Sequence, residues 1–143
     1  MPLLLEIVTP ERLAYSDMVD AVNLPGIEGE LGVLPHHAPL VSMLGVGELR
    51  IRKAGVEESF AIVGGFLQVR PDKVVVMAET ADMASEIDLE KALQAKREAE
   101  QALEGGPRVD AVDLAAARAS LQHALLRIRV AERRHREGPR HRG

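Results

Sequence analysis

Hydrophobic and polar residues follow two patterns along this chain, and the change comes near Ser85. Before it, short runs rich in Val, Leu and Ile are separated by turn residues; eight of the twelve glycines and six of the eight prolines lie in residues 1–84. Gly47–Lys53 alternates, with Leu49 and Ile51 on one side and Glu48, Arg50 and Arg52 on the other, the pattern of a half-buried strand. Val56–Val63 follows after Ala54-Gly55, a hairpin-sized gap. Lys73–Ala78 is apolar on both faces and predicts a central strand. Turn signals fall at Thr9-Pro10, Pro25-Gly26, Gly45, Gly55, Gly64-Gly65 and Pro71-Asp72. Short strands at this spacing predict a flattened antiparallel β-sandwich or barrel over residues 1–84, and the lack of alternating helices excludes a parallel βαβ fold.

Beyond Ser85, residues 85–104 and 108–137 contain neither Gly nor Pro. Ser85-Glu86-Ile87-Asp88 has the form of a capping box, and Asp88 can itself cap. The spacing predicts helices over about 88–104 and 110–136, the second started by Asp110 or Asp113, with a glycine available to close the first in the left-handed conformation. The result is a mainly β module followed by an antiparallel two-helix hairpin over 85–137, with 138–143 left as a flexible basic tail. Two stripes of small residues predict the helix seam: Ala92, Ala95, Ala99 and Ala102 on the first helix, and Val112, Ala116, Ala119, His123, Leu126 and Val130 on the second. A second stripe, Leu114, Leu121, Leu125 and Ile128, then needs cover from the sandwich or from another protein. An alanine seam buries little area, so the hairpin is expected to be marginal and detachable.

Composition narrows the chemistry. Tyr15, Phe60 and Phe66 are the only aromatic residues, which leaves an aliphatic core and none of the exposed rings that base-stacking modules use. Without cysteine there are no disulfides and no thiolate metal sites. Met1–Val8 is apolar but has no basic flank and is interrupted by Glu6, so it reads as a strand and not a signal peptide. No run approaches the roughly 20 apolar residues of a membrane helix. The net charge of −4 divides into +5 over residues 127–143 and −9 over the rest. Such a split suits an acidic partner, and equally a solvated helix end whose arginines face the negative pole of the dipole. His36-His37 does not predict a metal site, because adjacent residues on an extended chain point to opposite faces. No Walker A, G-x-S-x-G or G-x-G-x-x-G motif is present, and no catalytic constellation emerges.

Two segments carry a family resemblance. Gly29-Glu30-Leu31-Gly32-Val33-Leu34-Pro35, followed by His37-Ala38-Pro39-Leu40, resembles the signature of the epsilon subunit of bacterial F-type ATP synthase. So does Gly64-Gly65-Phe66-Leu67-Gln68-Val69, followed by Lys73–Val76 and Glu79-Thr80-Ala81; the likeness continues through Ile87-Asp88 to near Arg136.

That resemblance implies a non-catalytic, peripheral subunit of the central rotor stalk, at the cytoplasmic face of the bacterial membrane. Its sandwich would sit beside the gamma subunit and on the c-ring, with Glu30, Leu31 and His37 in the partner-facing stretch, and it would reach the membrane only through those partners. The two helices would act as a two-position regulator, folded on the sandwich or extended into the alpha/beta catalytic hexamer, where Arg129, Arg133 and Arg134 would meet acidic segments and inhibit ATP hydrolysis. No cofactor is required, but some relatives bind regulatory ATP through an Ile/Leu-Asp-x-x-Arg-Ala motif. Ile87, Asp88 and Ala92 match it, Lys91 stands in place of the arginine, Arg127 matches a basic position on the second helix, and His123 stands where another arginine occurs. Two other readings remain: a free-standing nucleotide-sensing module built on Ile87–Ala92, and a nucleic-acid binder using the arginine tail. The acidic remainder of the chain and its few aromatics argue against the latter.

Overall fold

The computed structural model describes residues 3–35, 38–105 and 110–137, with side chains as far as Arg133. Seven strands come first: β1 Leu3–Val8, β2 Leu13–Val19, β3 Ala21–Gly26, β4 Gly29–Val33, β5 Leu40–Lys53, β6 Val56–Val69 and β7 Lys73–Met83. A single 3-10 turn at Ala84–Glu86 leads into α1, Leu89–Leu103, and then α2, Ala111–Glu137. The strands form one open sheet in the order β2-β1-β7-β6-β5-β3-β4. Every neighbouring pair is antiparallel except β1 with β7, which is parallel. The wholly antiparallel expectation fails there because β1 inserts beside the last strand, leaving its hairpin partner β2 at the edge.

The sheet curls until its β2 edge meets β5. Asp20 donates its backbone N–H to the Arg52 carbonyl at 2.8 Å, the Asp20 carboxylate accepts from the Ala54 N–H at 2.9 Å, and Lys53 pairs with Asp17. The hydrogen bond from Lys53 holds the Asp17 carboxyl below its usual range. One aliphatic core, with residues from all seven strands, fills the fold; Leu3, Leu5, Leu24, Leu49, Ile62 and Leu67 are fully buried, and Tyr15 meets Phe60 edge to face at 5.5 Å.

Two predicted turns are not turns. β5 runs through Gly45 and β6 through Gly64-Gly65, each as a strand of 14 residues, or about 46 Å at ~3.3 Å per residue. Gly45 and Gly64 fall in the same row, where pairing lapses between Leu44↔Gly65 and Val46↔Val63. The inward face switches at that row: Leu49 and Ile51 point inward on one side and Leu44 on the other, matched by Phe60 and Ile62 against Leu67 and Val69. Gly64 and Gly65 have φ of +56° and +119°, and a Cβ on Gly65 would lie 1.8 Å from the Met77 carbonyl oxygen. The glycine pair therefore kinks a continuous strand, so that one strand lines two walls of the same core. The true hairpin is Ala54-Gly55, where both φ values are positive (52° and 79°), as a two-residue type I′ loop requires.

β7 is central, as expected, but only one of its faces is buried: Val74, Val76 and Ala78 point into the core, while Met77 is 47% exposed. In the hairpin, Asp88 is the cap of α1, accepting the Lys91 N–H at 3.2 Å, whereas Ser85 lies in the 3-10 turn and takes no part in a capping box. Asp110 caps α2 by accepting the Asp113 N–H at 2.8 Å. No left-handed glycine closes α1 among the described residues; Glu104 takes that place with φ −89°.

The helix seam differs from the expected one. α1 contributes Ala92 and Ala99, and Ala102 is exposed. On α2 two opposite stripes are buried. Ala117, Ala124, Ile128 and Ala131 share one side; Leu126 and Val130 share the other and pack on Ala61, Val63 and Ala84 of the sheet module. α2 is thus the middle layer, between α1 and the sheet. The stripe assigned to the helix seam is instead the sheet-facing one, covered only at its C-terminal end; Val112, Ala116 and Ala119 are exposed because α2 outruns the sheet.

Candidate functional site

The chain from β7 into α1 and the facing turn of α2 build a small open cavity of about 250 Å³. Ile87, Asp88, Lys91 and Ala92 line one side and Arg127 the other, so the five residues singled out for a nucleotide site do come together. The structure adds Asp82, Glu86 and Ala95, which the sequence did not single out. Asp82 faces Arg127 across the cavity and accepts from its Nε at 3.0 Å. Asp88 is already engaged as the helix cap. Three carboxylates therefore stand against two cations. Lys91 and Arg127 are the groups able to hold phosphate, Ile87, Ala92 and Ala95 give an apolar wall, and a bound phosphate would share the Arg127 guanidinium with Asp82, which engages its Nε. No group of His, Cys, Asp and Glu among the described residues has the arrangement of a metal site.

The partner-facing residues inferred from the resemblance scatter. Glu30 is exposed on the edge strand β4, with its carboxylate 2.7 Å from Arg50 Nη2. Leu31 is half-buried against the core. His37 lies outside the described residues, as do the side chain of Arg134 and the tail 138–143. Arg129 is exposed on α2. Arg133 instead turns toward the sheet, to Glu48 and Glu57.

A surface that sequence reasoning missed lies on the outer side of the sheet. Past the glycine kink, Met43 pairs with Phe66, Phe66 with Met77, Met77 with Val8 and Val8 with Leu13, one row across five strands. Met43, Phe66, Met77 and Leu13 are each about half exposed, and Val41 and Ile27 flank the row at 70% and 62%. Isolated exposed apolar side chains are ordinary, but a register-aligned row with flanking members is the mark of an interaction face. The signal was present in β7: apolar residues on both faces signify either a buried strand or one whose second face is kept for a partner.

Among the described residues no helix is long and apolar enough to cross a membrane. Residues 2–84 match the family described as ATP synthase, Delta/Epsilon chain, beta-sandwich domain, and residues 85–132 match the long alpha-helix domain of the same chain. The ATP synthase epsilon chain of Dehalococcoides mccartyi is 48% identical over 130 residues, covering 91% of this chain and 92% of that protein. That of Herpetosiphon aurantiacus is 46% identical over 134 residues, covering 94% and 97%. Among solved structures, a chain of the Euglena gracilis mitochondrial ATP synthase, in an assembly with its c-ring, superposes with a TM-score of 0.71 at 27% identity, covering 85% of this chain and 76% of that one. A chain of the central stalk and c-ring of the Tetrahymena thermophila enzyme shares the fold, with a TM-score of 0.58 at 16% identity. With both modules matched in order and near-half identity over almost the whole length, this chain belongs to the ATP synthase delta/epsilon chain family.

Proposed function

We propose that the chain works without catalytic chemistry of its own, as a peripheral stalk subunit at the cytoplasmic face of the membrane, its sheet bound to the gamma subunit and the c-ring. The observation that carries this reading is the apolar row Met43–Phe66–Met77–Val8–Leu13, exposed at every member but the half-buried Val8. Mixed with water it is a liability; covered by a stalk partner it is an anchor, with Glu30 and Leu31 on the edge strand β4 and His37 later in the same sequence motif as further partner residues. The core is made entirely of strand residues, so the sheet module is expected to stand without the helices. A chain ending at Ser85 should therefore fold and co-purify with gamma; a folded fragment that leaves gamma unbound removes this reading.

The helices supply regulation in the same proposal. Folded, α2 meets the sheet's apolar surface chiefly through Leu126 and Val130, and burying side chains of this kind stabilises by about 1.5–3 kcal/mol each. That is small enough to be reversed by a partner. Extended, α2 carries Arg129, Arg133 and Arg134 into the alpha/beta hexamer and inhibits hydrolysis.

A second reading rests on the cavity at the foot of the hairpin. ATP held by Lys91 and Arg127 would bridge α1 and α2 and favour the folded arrangement, since a ligand that prefers one state draws the population toward it. Asp88→Ala should then weaken ATP binding by more than the ~1 kcal/mol that a lost cap costs. Calorimetry showing no heat at millimolar ATP would end this second reading and leave the stalk role untouched.

A further inference from the structure

Arg133 reaches from near the end of α2 back to the middle of the sheet. Its Nη2 stands 2.9 Å from Glu48 Oε2, 3.5 Å from Glu57 Oε1 and 3.3 Å from Ser59 Oγ. The approach to Glu48 is off the hydrogen-bonding line, so that contact is an ion pair and not an aligned hydrogen bond. All three charged side chains are shielded, at 23% exposure for Arg133, 17% for Glu48 and 27% for Glu57. Glu48 lies on β5, and Glu57 and Ser59 on β6, all on the side of the sheet that α2 covers. Of the nearby cations, Arg50 pairs with Glu30, whereas Arg52 is the cross-strand neighbour of Glu57, which leaves Glu48 as the carboxylate that depends most on Arg133. Leu126 and Val130 precede Arg133 on the same side of α2 and are its apolar company there.

The geometry points to Arg133 as the pin of an electrostatic latch, with Glu48, Glu57 and Ser59 as its keeper, holding α2 on the sheet. A shielded arginine facing two carboxylates is not a surface ion pair of negligible effect, because removing one partner strands the other's charge. The latch rests on the regulatory reading above in one respect. Arg133 is also among the arginines that the extended helix offers to the catalytic hexamer, and one side chain cannot serve both positions. Closing the latch therefore withholds a contact from the inhibitory arm, and opening it supplies that contact.

Changes on the two sides of the latch separate these roles. Glu48→Gln with Glu57→Gln removes the keeper and leaves the arm its full charge. Arg133→Met removes the pin and the arm's contact together while keeping an apolar side chain of similar length. In the isolated full chain, amide hydrogen exchange over residues 124–133 should speed up roughly tenfold in both variants, with β1 to β7 unchanged. Arg133→Lys should fall between, since it keeps the charge on a shorter side chain without the planar guanidinium. In wild type, 0.5 M salt should reproduce part of the effect, as a partly shielded pair is only partly screened. Unchanged exchange in α2 in both variants overturns the latch, and so does acceleration spread evenly over the strands, which would mean the pair holds the sheet together. In the assembled enzyme, the Glu48/Glu57 variant should hydrolyse ATP more slowly than wild type, and Arg133→Met should not. If α2 loosens in the isolated chain but both variants hydrolyse alike, the latch holds and the inhibitory-arm reading fails.

Discussion

Replacing Phe66 and Met77 together with glutamate should abolish binding to the gamma subunit while leaving the chain folded. Both side chains project from the outer face of the sheet, 51% and 47% exposed, and they are direct cross-strand neighbours. Substitutions at such surface positions usually change stability by no more than about 0.5 kcal/mol. At an interface the same residues become buried anchors, each of which contributes about 2 kcal/mol or more when truncated, and a glutamate adds the cost of an unpaired charge. Affinity should therefore fall at least about 500-fold. Urea unfolding establishes that the fold survives, and surface plasmon resonance against gamma reads the loss. A change on the edge strand β4, such as Glu30→Gln, should have a much smaller effect because it removes one exposed charge and its pair with Arg50 and no apolar anchor. If the double variant binds gamma as wild type does, the apolar row is not the stalk interface.

Deleting the chain after Gly106 should raise ATP hydrolysis by the assembled complex without preventing assembly. The deletion removes α2 and, with it, Arg129 and Arg133; the strand core contains no helix residue and stays intact. An effector element of this kind is typically coupled by 1–3 kcal/mol, so a rise of about fivefold or more is expected at low salt. Added salt should shrink the difference, because charge complementarity between the arm and acidic segments is screened. Arg129→Ala alone should act in the same direction, since that side chain is exposed in the folded hairpin and ready for a partner. Arg133 is different: its loss both opens the hairpin and weakens the arm, so the triple replacement of Arg129, Arg133 and Arg134 mixes opposing effects. Hydrolysis that stays unchanged after deletion across low and moderate salt would assign the helices another role.

Local chemistry on this chain determined much of what it is. Alternation fixed which face of Leu49–Ile51 turns inward, Asp88 and Asp110 marked the helix starts because a carboxylate satisfies otherwise unpaired N–H groups, and the motif residues around Gly29–Leu40 and Gly64–Val69 pointed to the family. Such features are written within a few residues of where they act. What the tertiary structure alone decided depends on positions far apart. Glycine at 64 and 65 signals special backbone geometry, but whether that geometry makes a turn or a kink depends on Gly45 in the neighbouring strand and on the Met77 carbonyl. Both stripes on α2 have helical spacing, and periodicity does not say which one meets α1 and which the sheet; only the placement of α2 as the middle layer resolved it. The apolar outer face of β7 was legible as apolar but not as exposed, because burial belongs to the assembled layers and not to the strand. Arg133 shows the same limit: its charge was plain in the sequence, whereas its partners Glu48 and Glu57 lie in strands more than half the chain away and meet it only when the hairpin folds back.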